Sequence, residues 1–123
     1  MKRIISSIAI VVFALAAFSC KNSPSTNVMG EYEGNYRRDT VIIGSAHASV
    51  TEINPLTVNI IVDLQHDPDF HMYNVEVNSD TSFYELVYNG NEGVMDGFVI
   101  GNKMLWTFRS PTDTIIFDGE KVN

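Results

Sequence analysis

The chain has 123 residues and a single cysteine, with eight Lys and Arg against fifteen Asp and Glu and a net charge of −7. That length supports one domain with a modest core, and one thiol excludes an internal disulfide, so the fold must rest on apolar burial alone. The acidic balance argues against nucleic acid as a partner, and against attachment by charge to a bare anionic membrane.

Residues 1–19 have the layout of a secretory leader. Lys2 and Arg3 give a positive start, Ile4 to Phe18 is apolar apart from Ser6 and Ser7, and Ala16, Ala17 and Ser19 are small. As a helix the apolar run would span about 22 Å, short of the ~30 Å hydrocarbon core, so a cleaved leader is favoured over a permanent span. Its removal takes away Lys2 and Arg3 and leaves six cationic side chains against fifteen acidic ones, a net charge of −9.

Ala17-Phe18-Ser19-Cys20 resembles the lipobox of bacterial lipoproteins, in which the cysteine becomes the acylated first residue. Ser19 fits the pattern, Ala17 departs from the usual Leu-like residue, and Phe18 is bulky at a permissive place. The alternative is ordinary cleavage after Ser19, which releases a soluble protein with a free thiol. Lipidation of Cys20 is the expectation, because a single thiol at this spot has few other uses. Three acyl chains, at about 0.8 kcal/mol per buried CH₂, would make the attachment effectively permanent.

Lys21 to Asn27 is rich in Ser, Asn, Pro and Thr. Residues 20–28 therefore read as the lipidated cysteine and a flexible tether that holds the domain off the membrane. The tether lacks the acidic run associated with surface export in some lipoproteins of the Bacteroides group. The expected location is the outer membrane, on its periplasmic face, with the cell surface left open.

From residue 29 to 123 the periodicity is two, not 3.6. Tyr32, Gly34 and Tyr36 share one face, opposite Glu31, Glu33 and Asn35. Ala46, Ala48 and Val50 alternate with Ser45, His47, Ser49 and Thr51 within a strand expected from Val41 to Ile53. Leu56, Val58, Ile60, Val62 and Leu64 form the clearest apolar stripe. Phe70 and Met72 are out of phase with Tyr73, Val75 and Val77, which places a bulge near Met72. Tyr84, Leu86 and Tyr88 lead into the turn Asn89 to Gly93. Val94 to Ile100 meets Lys103 to Arg109 across Gly101-Asn102, a two-residue hairpin signal, and Thr114 to Asp118 is the last strand.

Eight short strands with tight turns and no room for a crossover helix define an all-β antiparallel up-and-down meander. It closes as a small eight-stranded barrel or as a flattened barrel close to a sandwich. The opening Gly30-Glu31-Tyr32-Glu33-Gly34-Asn35-Tyr36 resembles the start of the lipocalin-like and calycin-like small lipoproteins of Bacteroides-type bacteria. The ending resembles them too, from Gly97 through Gly101-Asn102-Lys103-Met104-Leu105-Trp106 to Phe117, Gly119 and Lys121. The resemblance implies a lipocalin-like barrel across most of Gly30 to Val122 and carries no activity of its own.

The sequence offers little catalytic chemistry. His66-Asp67-Pro68-Asp69-Phe70-His71, with Asp63 before it, is the densest group of potential metal ligands, but its spacing matches no zinc pattern and Pro68 marks a loop. His47 between Ser45 and Ser49 lacks the sharp turn that a serine nucleophile needs. Glu31 and Glu33 are paired on one strand face, about 7 Å apart, without evidence of a cleft. The expectation is a non-enzymatic protein with no metal and no cofactor.

The aromatic residues carry the functional hypothesis instead. Tyr32, Tyr36, Tyr84, Tyr88, Trp106 and Phe108 fall on the faces assigned inward, where they form either the core or the lining of a site for a small apolar ligand. Gly34 and Gly97 would leave room for such a ligand or relieve strain at a bend. The first expectation is a lipid-anchored lipoprotein binding a small apolar ligand or envelope component at the barrel mouth. The alternative is a protein-interaction or inhibitor module of the envelope with a filled barrel. An apolar cavity of a few hundred Å³ would favour cargo, and a packed interior would favour a protein partner.

Overall fold

The computed structural model describes residues 23–122, so Cys20 and the expected leader lie outside the described residues. Eight strands run in chain order: β1 (Gly30–Arg38), β2 (Val41–Asn54), β3 (Thr57–Leu64), β4 (Phe70–Ser79), β5 (Tyr84–Asn89), β6 (Val94–Ile100), β7 (Lys103–Arg109) and β8 (Thr114–Val122). Each pairs antiparallel with its sequence neighbour, and β8 returns to pair with β1, so the sheet is a closed barrel and not a sandwich.

Closure follows from the alternation. On β1, Tyr32 and Tyr36 are fully buried while Glu31, Glu33 and Asn35 face out. On β3, Val58, Ile60, Val62 and Leu64 face in. Leu56, which the sequence places at the start of that stripe, lies in the β2–β3 turn and is 58% exposed. Each large apolar side chain buried in this way contributes about 1.5–3 kcal/mol, the term on which a fold without a disulfide depends.

Turn chemistry sets the registers. Gly101 at φ 58° opens the β6–β7 turn, where Ile100 pairs with Lys103. A glycine at the first central position is the requirement of a type II′ hairpin. Asp39 at φ 58° performs the same task between Arg38 and Val41.

The bulge expected near Met72 sits at Asn74, whose φ is 62° and whose backbone N–H donates to Asn59 Oδ1 at 3.1 Å. The pairing jumps from Val58–Val75 to Ile60–Met72 across it. Because the phase changes after Tyr73, that residue faces out, 55% exposed, and does not join Val75 and Val77 inside.

Gly34 pairs with Gly119 across β1 and β8. A Cβ on Gly34 would lie 1.9 Å from the Asp118 carbonyl oxygen, so only glycine permits this close approach. A Cβ on Gly97 would lie 2.4 Å from both the Leu105 carbonyl oxygen and Trp106 Cβ. Neighbouring strand, not ligand space, occupies the volume at both glycines.

The tether expected through residue 28 ends earlier than the sequence suggests. Pro24–Val28 forms a short helix, α1, capped by Ser23 and started by Pro24, whose missing N–H is no loss in a first turn. Its last residue, Val28, is fully buried, as is Ser25. The correction has a physical cause: α1 is too short to be stable alone, and contacts from distant strands hold it in place.

Candidate functional surfaces of the barrel

The lower end, where β1 begins and β8 finishes, is closed by α1. The Ser25 backbone N–H donates to the Pro55 carbonyl at 3.0 Å, which ties α1 to the β2–β3 turn. The hydroxyls of Ser23, Ser25 and Thr26 all donate to the Glu52 carboxylate. Those donors hold the Glu52 carboxyl below its ordinary pKa. Asn27 Nδ2 donates to the Tyr84 hydroxyl at 2.7 Å, and Lys121 Nζ donates to the Asn27 carbonyl at 3.3 Å. The Tyr32 hydroxyl donates to the Val28 carbonyl at 2.7 Å, and burial pushes the Tyr32 phenol up to about 12.

The upper end is closed on one side by the β3–β4 loop. Asp67 Oδ2 accepts from the Tyr36 hydroxyl and Asp67 Oδ1 from Arg38 Nη2, both at 2.6 Å. The His66 backbone N–H donates to the Tyr36 oxygen at 3.2 Å. Arg38 also reaches Asp113 in the β7–β8 turn at 3.0 Å. Burial first, and then the bond to Asp67, raises the Tyr36 pKa.

Between these lids the interior is filled by the chain itself. Of the six aromatic residues proposed from sequence, Tyr32, Tyr36 and Trp106 are essentially inaccessible and Phe108 is 9% exposed. Tyr84 and Tyr88 are partly buried against the same core, and the Tyr84 hydroxyl is engaged by Asn27. Trp106 stacks on Phe117 at 5.3 Å, while Phe70 meets it edge-on at 5.9 Å. Phe70, Phe108 and Tyr88 then form a partly open aromatic rim at the upper mouth. Trp106 Nε1 is buried with no hydrogen-bond partner, a situation that costs about 1–3 kcal/mol.

The outer wall carries carboxylates, Glu31, Glu33 and Asp118 among them, alongside the exposed side chains of Ile61, Phe98 and Leu105. His47 Nε2 lies 2.9 Å from Glu31 and its Nδ1 lies 3.5 Å from Glu33. The Ser49 hydroxyl donates at 2.7 Å to Glu31 Oε1, the same carboxylate oxygen that His47 Nε2 meets. The Glu31 hydrogen bond raises the His47 pKa, and the two glutamates serve as its partners.

The residues of the 63–71 segment diverge. Asp67 turns to Tyr36 and Arg38, Asp69 bonds to Asp63 and raises its pKa, and His71 Nδ1 pairs with the Tyr73 hydroxyl at 2.6 Å. Among the described residues no three His, Cys, Asp or Glu side chains converge on a common point. Open grooves lie between the strands: one of about 470 Å³ includes Arg37, Ile42, Ile116 and Asp118, and one of about 210 Å³ includes Phe83, Phe98 and Leu105.

The polarity of the wall has a direct implication. Transmembrane barrels turn an apolar band outward and polar residues inward, whereas this barrel keeps apolar residues inside and carboxylates outside. Among the described residues no helix is long and apolar enough to cross a membrane.

Sequence reasoning missed Glu52, Asn27 and Lys121 as the fastenings of the lower lid. The pair Ser23-Pro24, a cap followed by a first-turn proline, was the available signal for α1.

No protein-family model matches the sequence, and no curated protein matches it. The fold is shared with a crystal structure of a "putative outer membrane protein" from Bacteroides fragilis, with a TM-score of 0.63 over 80% of this chain and 18% identity. This chain spans 53% of that protein, about half its length. The molecule is therefore a small eight-stranded antiparallel barrel, lidded below by its own N-terminal helix and filled by its own aromatic core.

Proposed function

We propose that this is a lipid-anchored, non-enzymatic protein of the bacterial outer membrane that works as an interaction module through the outer wall of its barrel. The observation that carries the reading is the filled interior: Tyr32, Tyr36, Trp106 and Phe117 occupy the space a cargo molecule would need. The secretory leader, the lipobox-like Cys20 and the lipocalin-like motifs support an envelope location, in keeping with the printed name of the Bacteroides fragilis neighbour. The acidic wall suits a partner with a cationic surface, by charge complementarity.

The test places a photo-crosslinking residue at Asn35, on the exposed face of β1, in cells expressing the full chain. A discrete adduct that disappears when Glu33 and Asp118 are both made neutral supports the reading. An absence of adducts, or adducts indifferent to those charges, overturns it.

One observation favours a second reading, a small apolar ligand at the upper mouth. Trp106 Nε1 lacks an acceptor beneath the Phe70–Phe108–Tyr88 rim, and a ligand with one polar atom would supply it. Saturable, stoichiometric quenching of Trp106 by a fatty-acid probe would establish this reading, and unchanged Trp106 emission would remove it.

A further inference from the structure

The position of α1 changes how the barrel relates to the membrane. Ser23 is 8% exposed and fastened to Glu52, so the described fold begins three residues after Cys20. A fully extended chain covers at most about 3.6 Å per residue, which places any lipid on Cys20 within about 11 Å of the lower end. A barrel anchored on so short a leash has its lower end against the bilayer surface.

That end is fringed with exposed apolar side chains. Met29 follows α1, Ile53 lies near the end of β2, Leu56 lies in the β2–β3 turn, Ile100 ends β6, and Val122 ends β8. They are 41%, 45%, 58%, 50% and 39% exposed, respectively. The antiparallel order brings all five to the same end, and the Lys121 backbone N–H bonds to the Asn102 carbonyl, joining the β8 terminus to the β6–β7 turn. The upper end also exposes Val41, Ile42 and Val94. Only the lower end is next to the anchor.

We infer that the lower end of the barrel is a membrane-seated face, with Met29, Ile53, Leu56, Ile100 and Val122 dipping into the lipid interface around the acyl anchor. The occupant is the bilayer surface itself, because the anchor brings that surface within reach and the fringe presents apolar groups to it. The inference rests on lipidation of Cys20. It adds that the barrel has a fixed orientation, with the upper mouth and its aromatic rim pointing away from the membrane.

The experiment uses the full lipidated chain in lipid vesicles and compares Leu56→Trp with Val41→Trp, each corrected for the Trp106 emission of the parent. With brominated acyl chains, Leu56→Trp emission is expected to fall at least about twofold while Val41→Trp is unaffected, as for a side chain at the headgroup–acyl boundary. Quenching of neither position, or of both equally, in a chain whose mass shows acylation overturns the membrane-seated face and leaves the anchor standing. A chain whose mass shows no acylation overturns the anchor and this inference together.

Discussion

At the lower end of the barrel the Glu52 carboxylate gathers three hydroxyls from a short segment, Ser23 to Thr26, that is not part of the sheet. At the upper end the Asp67 carboxylate gathers Tyr36 and Arg38, two side chains of the β1 strand itself. The first arrangement adds a lid whose donors to Glu52 are neutral and whose deep contacts are Val28 and Ser25. The second folds a loop back onto the wall through a charge-assisted contact that Arg38 extends to Asp113. Neutral donors around an exposed acid are worth less than a cation and a buried phenol on a half-buried one. The β3–β4 loop is therefore the more firmly held of the two closures, although it covers only one side of its end, and Val28 is the one deeply buried apolar side chain of the lower lid.

The sharpest way to break this contrast is Val28→Asp. Forcing a carboxylate into that site should cost about 3 kcal/mol or more if the lid and the barrel unfold together. Urea denaturation followed by Trp106 emission measures it. An unchanged midpoint, with new amide-exchange only in residues 23–28, would show that the lid opens as an independent unit. A smaller effect is expected at the other end. Tyr36→Phe removes the phenolic donor to Asp67 but leaves Arg38, and should cost about 1.5–3 kcal/mol, the range for hydrogen bonds to charged groups.

The smallest effect concerns Glu52 and reports itself through pH. Its carboxyl is held below the ordinary value by the hydroxyls of Ser25, Thr26 and Ser23. A depressed folded pKa adds stability above the unfolded value, and that stability is lost as pH falls through the folded one. The parent should therefore melt above Glu52→Gln at neutral pH, and the difference should close on acidification below the normal carboxylate range. A gap that widens with acid would contradict the hydroxyl cradle.

Much of the barrel was legible in sequence because a period of two, read strand by strand, marks which residues point inward. Tyr32 and Tyr36 against Glu31 and Glu33, and the stripe from Val58 to Leu64, needed nothing beyond that rule. Gly101-Asn102 fixed its hairpin through the positive φ that glycine tolerates. Tyr73 was misplaced because the bulge fell at Asn74, two residues beyond Met72, where the Asn74 N–H meets Asn59 Oδ1 from the neighbouring strand. α1 was read as linker because its Ser, Pro, Thr and Asn composition is that of a linker. Its helix exists because Glu52, Pro55 and Tyr84 hold it, and the local Ser23-Pro24 signal carries nothing about those distant contacts. Tyr32, Tyr36, Trp106 and Phe108 lie inside and Tyr84 and Tyr88 partly so, yet sequence could not decide between lining and filling, which depends on how closely opposite walls approach.

The pairing of β1 with β8 has a consequence for how the molecule comes into being. Glu31 to Arg38 lie against Ile115 to Val122, so the seam that closes the barrel joins nearly the first and last described residues. The lower lid needs Lys121 as well. Contacts of such long sequence separation slow folding, because loop closure must precede their reward. A chain threaded out from its N-terminus leaves β1 with an open edge until β8 arrives. The barrel thus closes only once β8 is available, and until then the waiting first strand is an edge open to wrong pairing.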